Sequence, residues 1–202
     1  MLDEFPEFDR RVIEALRQPL EDRVISILRS KGSAQFPARF ILVAAMNPCP
    51  CGNWGHPKGS CTCAAHALER YRRKISGPIA DRVDLWSTIG PVELSDLNHR
   101  AKENTETAAA REAVLRARQM QSRRPGATRL NSDLSPREID ELVPLDAPAR
   151  KTLEQAGTKF NLSSRSYHRM LKVARTIADL EAADELAPTH VLEALQYRRA
   201  EH

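Results

Sequence analysis

Four cysteines stand in two Cys-x-Cys pairs, Cys49-Pro50-Cys51 and Cys61-Thr62-Cys63, with nine residues between them. Four thiolates close a tetrahedral shell around zinc and leave no coordination position for a substrate, so a metal held here is structural. Gly52, Gly55 and Gly59 give the intervening backbone the freedom a tight knuckle needs. Cysteines within a structural zinc pair are commonly separated by about two to four residues, so free thiols are the competing reading. His56 stands in the same loop as a substitute ligand or a solvated imidazole.

Carboxylates and an amide form the second constellation. Leu2-Asp3-Glu4 places two acids directly after an apolar residue and before a helical pattern. If a strand feeds Leu2, both acids lie at its carboxyl end, where open α/β sheets bind their ligands. One acid would then hold Mg²⁺ and the other orient an attacking water, the division of labour in phosphoryl transfer. The same pair also complements a helix dipole. Asn47 closes the apolar run Phe40–Met46 immediately before Pro48. A neutral amide there orients a water or a phosphate oxygen, or simply forms a turn.

Two arginines are candidates for anion contact. Arg82 follows the helix-ending Ser76-Gly77-Pro78 and offers a planar, permanently charged group for a neighbouring subunit's phosphate, or a surface pair with Asp81 or Asp84. Arg165 falls in the first turn of a helix opened by Ser163 or Ser164, where the dipole disfavours a cation and free N–H groups favour an anion. Between Arg111 and Arg129, six arginines face Glu112 alone, a local basic strip without aromatic residues. It reads as a phosphate-backbone contact or as a solvated helix face.

The elements that must position these groups fall into two classes. Phe8, Val12, Leu16 and Leu20 recur at four-residue intervals and predict one amphipathic helix over 7–20. Val24–Leu28, Phe40–Met46 and Val83–Ile89 read as strands, the second apolar throughout and therefore buried on both faces. Ala64–Ile75 is helical and stops at Ser76-Gly77-Pro78. From Glu93 onward no strand-like run occurs. Ala108–Gln121 is helical, and starts are marked by the capping box Ser135-Pro136-Arg137-Glu138, by Asp146-Ala147-Pro148, by Ser163-Ser164 and by Pro188, predicting a small bundle.

Composition fits that division. The 202 residues are 41% hydrophobic and 29% charged, enough to bury modest cores. Phe40–Met46, the longest apolar run, is far shorter than the roughly 20 residues that span a bilayer. The start MLDEFPEFD has no basic and apolar leader pattern, and the cysteines suit a reducing compartment, so a cytoplasmic location is expected. A formal charge of +4 permits a nucleic-acid partner without requiring one.

In order, Leu2-Asp3-Glu4, EFPEFDRRVIEALRQPLED, FILVAAMNPCPCG, YRRKISGPIADRVDL and SSRSYHRMLKVARTIADL resemble the Mg-chelatase-like AAA+ ATPases of the ComM/YifB branch, over nearly the whole chain. The resemblance implies a partial P-loop-type αβα core over 1–92 with a Cys-rich loop at 47–63, a linker over 93–106 and a helical lid domain over 107–202. It implies that Asp3 and Glu4 form the Walker B pair, serving Mg²⁺ and activating water, that Asn47 is sensor 1, Arg82 the arginine finger and Arg165 the sensor 2 arginine. It further implies ATP with Mg²⁺ as cofactor and a homo-hexameric ring. Members of the ComM type are DNA helicases that promote branch migration in natural transformation.

One departure is large. The family's P-loop lies before Walker B, and none of the chain's eight glycines is followed by lysine. An upstream segment bearing the phosphate cradle is therefore expected, and this chain alone is expected to bind ATP weakly. Two other functions compete: a chelatase-type ATPase subunit driving metal insertion into porphyrin, and a zinc-stabilised module without enzymatic activity.

Overall fold

The computed structural model describes residues 1–30, 32–57, 59–90, 105–124 and 130–198. Two compact units form. One holds Met1–Val83 with Ile89 and Gly90, and the other holds Asp84–Thr88 with the helices from Thr105 onward. Within the described residues the fold is mainly helical with one small two-stranded sheet.

The first unit opens on a parallel bridge between Leu2 and Ala44. The Leu2 N–H donates to Val43 O at 2.8 Å, the Ala45 N–H to Leu2 O at 2.8 Å and the Phe5 N–H to Ala45 O at 3.0 Å. A 3₁₀ turn, Phe5–Glu7, follows, then α1 (Arg10–Ala15), capped by Asp9, and α2 (Arg17–Asp22). The single helix expected over 7–20 is thus two. Pro19 has no N–H for the Ala15 carbonyl and its ring crowds that carbonyl, which breaks the ladder at Leu16. The expected apolar stripe is also rotated: Ile13 and Pro19 are buried, while Phe8 and Val12 are exposed.

The strand expected at Val24–Leu28 forms as β1 (Val24–Arg29), but its partner is β2 (Gly32–Pro37), antiparallel, with Val24 opposite Pro37 and Arg29 opposite Gly32. Gly32 and Pro37 read as breakers; they are the terminal residues of β2, where a strand tolerates both. Phe40–Met46 forms a single bridge, at Ala44, and is not a strand buried on both faces: Ile41 is 88% exposed and Phe40 and Val43 are also exposed. Among the described residues only the Leu2 edge pairs with it, and an apolar run is buried only where neighbours cover it. The third expected strand, Val83–Ile89, is irregular. Its Trp86 N–H donates to Tyr197 O at 2.8 Å, and Asp84 pairs with Arg169 at 2.7 Å in the helical unit. The three expected strands are therefore corrected to one hairpin and one parallel bridge among the described residues. After the cysteine loop come α3 (Ala65–Arg72) and α4 (Gly77–Ala80). The Ser76-Gly77-Pro78 signal that ends one helix also starts the next, since the Ser76 hydroxyl accepts from Ile79 N–H.

The second unit contains α5 (Thr105–Ser122), a 3₁₀ turn at Asn131–Asp133, α6 (Pro136–Leu142), α7 (Ala147–Lys159), α8 (Ser164–Leu180) and α9 (Pro188–Gln196). The starts fall where the caps predict. Ser135 and Glu138 exchange their hydrogen bonds at 2.8 and 3.3 Å, Asp146 accepts from Ala149 N–H at 2.5 Å, and Ser163 accepts from Ser166 N–H at 3.2 Å. Ile139, Val143, Leu153, Leu171, Ala174, Leu186 and Val191 form the core. Core-facing α8 also buries charge. Arg175 donates to Asp179 Oδ1 at 3.0 Å and to Asp184 O at 2.7 Å, Asn131 donates to Asp179 Oδ2 at 2.8 Å, and Arg124 pairs with Asp179.

Removing one member of such a buried cluster leaves the others uncompensated. Asp179→Ala is expected to destabilise the helical unit by about 3–5 kcal/mol, while Arg137→Ala, which breaks an exposed pair with Glu141, costs under about 0.5 kcal/mol. Urea denaturation of the two variants checks the contrast.

Candidate functional site

The parallel bridge fixes the site's geometry. Leu2 and Ala44 lie side by side, so the residues that follow them leave the bridge at the same end. Asp3 and Glu4 follow Leu2 at once, and Asn47 comes three residues after Ala44. All three are solvent-exposed. Glu4, Asn47, Glu7, Cys49, Pro50 and Tyr71 line one crevice of about 180 Å³. Glu4 sits at φ 49°, ψ 41°, the left-handed region, which costs a residue with a Cβ about 1–3 kcal/mol. Two hydrogen bonds hold it there: its N–H donates to Asp3 Oδ1 at 2.9 Å, and its carbonyl accepts from Glu7 N–H at 2.7 Å. Such strain concentrates at functional sites, and here it sets the direction in which the second carboxylate leaves the chain.

Tyr71 and Glu7 escaped the sequence reading, since neither carries a local signal. Tyr71 is 6% exposed, and its hydroxyl donates to the Asn47 carbonyl at 3.0 Å. Burial, then the nearby Glu7 carboxylate, pushes the phenol above its ordinary value, so it stays a donor at neutral pH. Glu7 in turn pairs with Lys74 at 2.6 Å, beyond the end of α3.

Arg82 lies just after α4. Its side chain is 10% exposed, pairs with Glu21 of α2 and donates to Pro78 O at 2.6 Å. The spacing of Glu21 and Arg82 in sequence gave no hint of this. Arg165 lies exposed in the first turn of α8, in the helical unit. Of the basic strip, Arg111, Arg116, Arg118 and Arg123 are exposed on or just after α5 and Arg124 turns inward to Asn131 and Asp179. Arg129 lies outside the described residues.

The four cysteines come together. Cys49, Cys51, Cys61 and Cys63 place their sulfurs within 4.8 Å of one another, and His56 is not part of the group. The Cys49–Cys51, Cys51–Cys61 and Cys49–Cys61 separations are 3.4, 3.6 and 3.8 Å. A tetrahedron with metal–sulfur bonds of about 2.3 Å sets sulfur–sulfur distances near 3.8 Å, so the donor set fits zinc. Gly52 and Gly55, at φ 78° and 77°, make the turns between the pairs. The Trp54 N–H donates to Cys49 Sγ at 3.3 Å, the type of outer hydrogen bond that steadies a metal-bound thiolate.

The thiols ionise unequally. Backbone amides of Asn53 and Thr62 pull Cys51 down to about 6, whereas burial and the Cys51 sulfur push Cys63 up to about 12. At pH 7 Cys51 is then a thiolate and Cys63 holds a proton that a metal must displace. Zinc uptake by the reduced chain is expected at one ion per chain with proton release, so that it weakens with falling pH already around neutrality and more steeply once Cys51 also protonates, near 6. Calorimetry in buffers of different ionisation enthalpy measures the protons, and Cys63→Ser is expected to remove stoichiometric zinc.

A family model described as magnesium chelatase, subunit ChlI, matches residues 1–97, and one described as the C-terminal part of the same subunit matches 104–198. Competence protein ComM of Haemophilus influenzae is 42% identical over 98% of this chain, and the uncharacterised protein YifB of Salmonella typhimurium is 39% identical over 98%. The chain spans 38% of the length of each. A DNA replication licensing factor of Drosophila melanogaster is 25% identical over 96% of the chain, which spans 24% of its length. Two consecutive parts of one subunit, matched in order and with little between them, leave a single assignment: the chain belongs to the magnesium chelatase family, with ComM- and YifB-like proteins among its relatives.

Proposed function

We propose that this chain supplies the water-activating and sensing residues of an ATP-driven DNA motor of the ComM type. The observation that carries the reading is the Leu2–Ala44 bridge, which sends Asp3, Glu4 and Asn47 out at one end of two parallel segments. That is the end at which α/β folds bind nucleotide. Bound ATP with Mg²⁺ supplies the phosphoryl bond that is hydrolysed. In this reading Asp3 holds Mg²⁺, Glu4 orients and deprotonates the attacking water, and Asn47 fixes that water or a γ-phosphate oxygen without adding charge.

Arg82 is the finger toward a neighbouring subunit in a six-membered ring, which requires it to exchange Glu21 for phosphate. Arg165, in the first turn of α8, is the sensor 2 arginine of this reading. A segment preceding this chain brings the P-loop. The cysteine cluster holds a structural zinc. The names of two relatives, a competence protein and a DNA replication licensing factor, favour DNA as the track over porphyrin metallation. The exposed arginines of α5 offer the phosphate contacts.

Joining the chain to an upstream P-loop segment is expected to give an ATPase. In that protein Glu4→Gln lowers turnover by about 10²–10⁴-fold while nucleotide binding persists. Equal hydrolysis by the variant would remove Glu4 from the mechanism.

DNA binding by the same protein is expected to weaken steeply with salt, and Arg118→Ala with Arg123→Ala to reduce the log–log salt slope by about one for each phosphate that is no longer neutralised. Absence of binding at low salt would favour a protein partner, as porphyrin metallation requires.

A further inference from the structure

The cysteine loop begins two residues after Asn47 and ends where α3 begins, and α3 returns to Asn47 through Tyr71. We propose that the metal-closed loop and Tyr71 together form a positioning device for Asn47, with Tyr71 as the positioning residue. The inference rests on the proposed function only for its catalytic consequence.

Four restraints converge on this one residue. Before it, the Leu2 ladder holds the backbone through Ala45. After it, Pro48 confines Asn47 to extended backbone. Two residues further on, fully buried Cys49 is clasped to Cys51 and Cys61 at 3.4 and 3.8 Å. From the far side, the Tyr71 hydroxyl donates to the Asn47 carbonyl at 3.0 Å.

The restraints form a closed mechanical circuit. Cys63 is followed by Ala64, whose carbonyl accepts from Ala67 N–H at 2.9 Å in the first turn of α3. The metal cluster therefore sets where α3 starts, and helix geometry carries that position about one and two-thirds turns along to Tyr71. Lys74 then fastens the chain beyond α3 to Glu7 at 2.6 Å, in the turn that holds Glu4. A change at the sulfurs thus reaches the crevice by two routes: directly through Cys49, and around the loop through α3. Without the cluster, the seventeen residues 47–63 would have no such closure, and the backbone from which the Asn47 side chain leaves would lose its fixed direction.

Tyr71 is also more than filler. Its ring is buried among the crevice-lining residues, but its hydroxyl ends on the main chain of the residue the crevice needs oriented. Phenylalanine would fill the same volume and remove only the hydrogen bond, so the two roles separate in one substitution.

Asn47-Pro48 is the one Asn-Pro pair in the sequence, so labelling asparagine carbonyls with ¹³C and proline with ¹⁵N isolates a single carbonyl resonance, that of Asn47. In the zinc-loaded chain, Tyr71→Phe is expected to move that resonance in the direction of a lost hydrogen bond. Chelating the zinc is expected to move it the same way, and zinc alone to restore it. In the protein joined to its P-loop segment, Tyr71→Phe is expected to lower kcat about 2–10-fold with KM for ATP unchanged, the effect of losing one neutral hydrogen bond. A carbonyl resonance unmoved by both Tyr71→Phe and chelation overturns the proposal; Tyr71→Phe needs no metal removal, so unfolding on chelation cannot conceal the result. A resonance that moves while kcat holds confirms the positioning and overturns instead the sensor role of Asn47.

Discussion

Everything at the candidate site depends on a short stretch of parallel backbone pairing. Three hydrogen bonds among Leu2, Val43, Ala45 and Phe5 set the register of two segments more than forty residues apart in sequence. A slip of one residue would turn every side chain to the opposite face, because the strand period is two. With the observed register, two carboxylates and an amide leave the pair at one end, and Glu4 is bent through a left-handed conformation as it does so. The strain is tolerated because both polar groups of its backbone are satisfied within the turn. Placement of charge here is a backbone property first and a side-chain property second.

Around that pair the first unit is built from closures and not from a large core. The hairpin exposes much of its apolar surface, and so does the segment from Phe40 to Met46. Order comes instead from the cysteine cluster, from Tyr71 on Asn47, from Lys74 on Glu7 and from Arg82 folded onto Glu21. A layer with so little buried apolar area gains more than most from a metal, since a closed thiolate shell contributes folding energy directly.

The helical unit is organised differently. Its core is conventional, with Leu153, Leu171, Val191 and their neighbours excluded from water. Yet α8 carries Arg175 and Asp179 through the interior, and Asn131 and Arg124 are drawn in to complete their hydrogen bonds. Burial lowers the guanidinium of Arg175 from its ordinary range while Asp179 counters it. Such a cluster defines one arrangement of α8 against the segment that follows α5, because any other packing leaves charge unpaired. It also removes Arg124 from the exposed basic strip.

What the sequence determined by itself is local. Caps at Ser135, Asp146 and Ser163 mark real helix starts because a cap satisfies N–H groups within three residues, and the Cys-x-Cys spacing announces a cluster because a loop of nine residues with glycines can fold back on itself. The strings around Asp3, Asn47 and Arg165 carry the family for the same reason, being short and contiguous. Tertiary structure decided the rest. It split the first helix at Pro19, paired Val24–Arg29 with a segment that reads as a turn, detached Val83–Ile89 from any sheet, chose Glu21 as the partner of Arg82 and brought Tyr71 to Asn47. Each of those outcomes is a contest between partners distant in sequence, settled by which pairing buries apolar surface and satisfies polar groups at once, and no window of neighbouring residues contains that comparison.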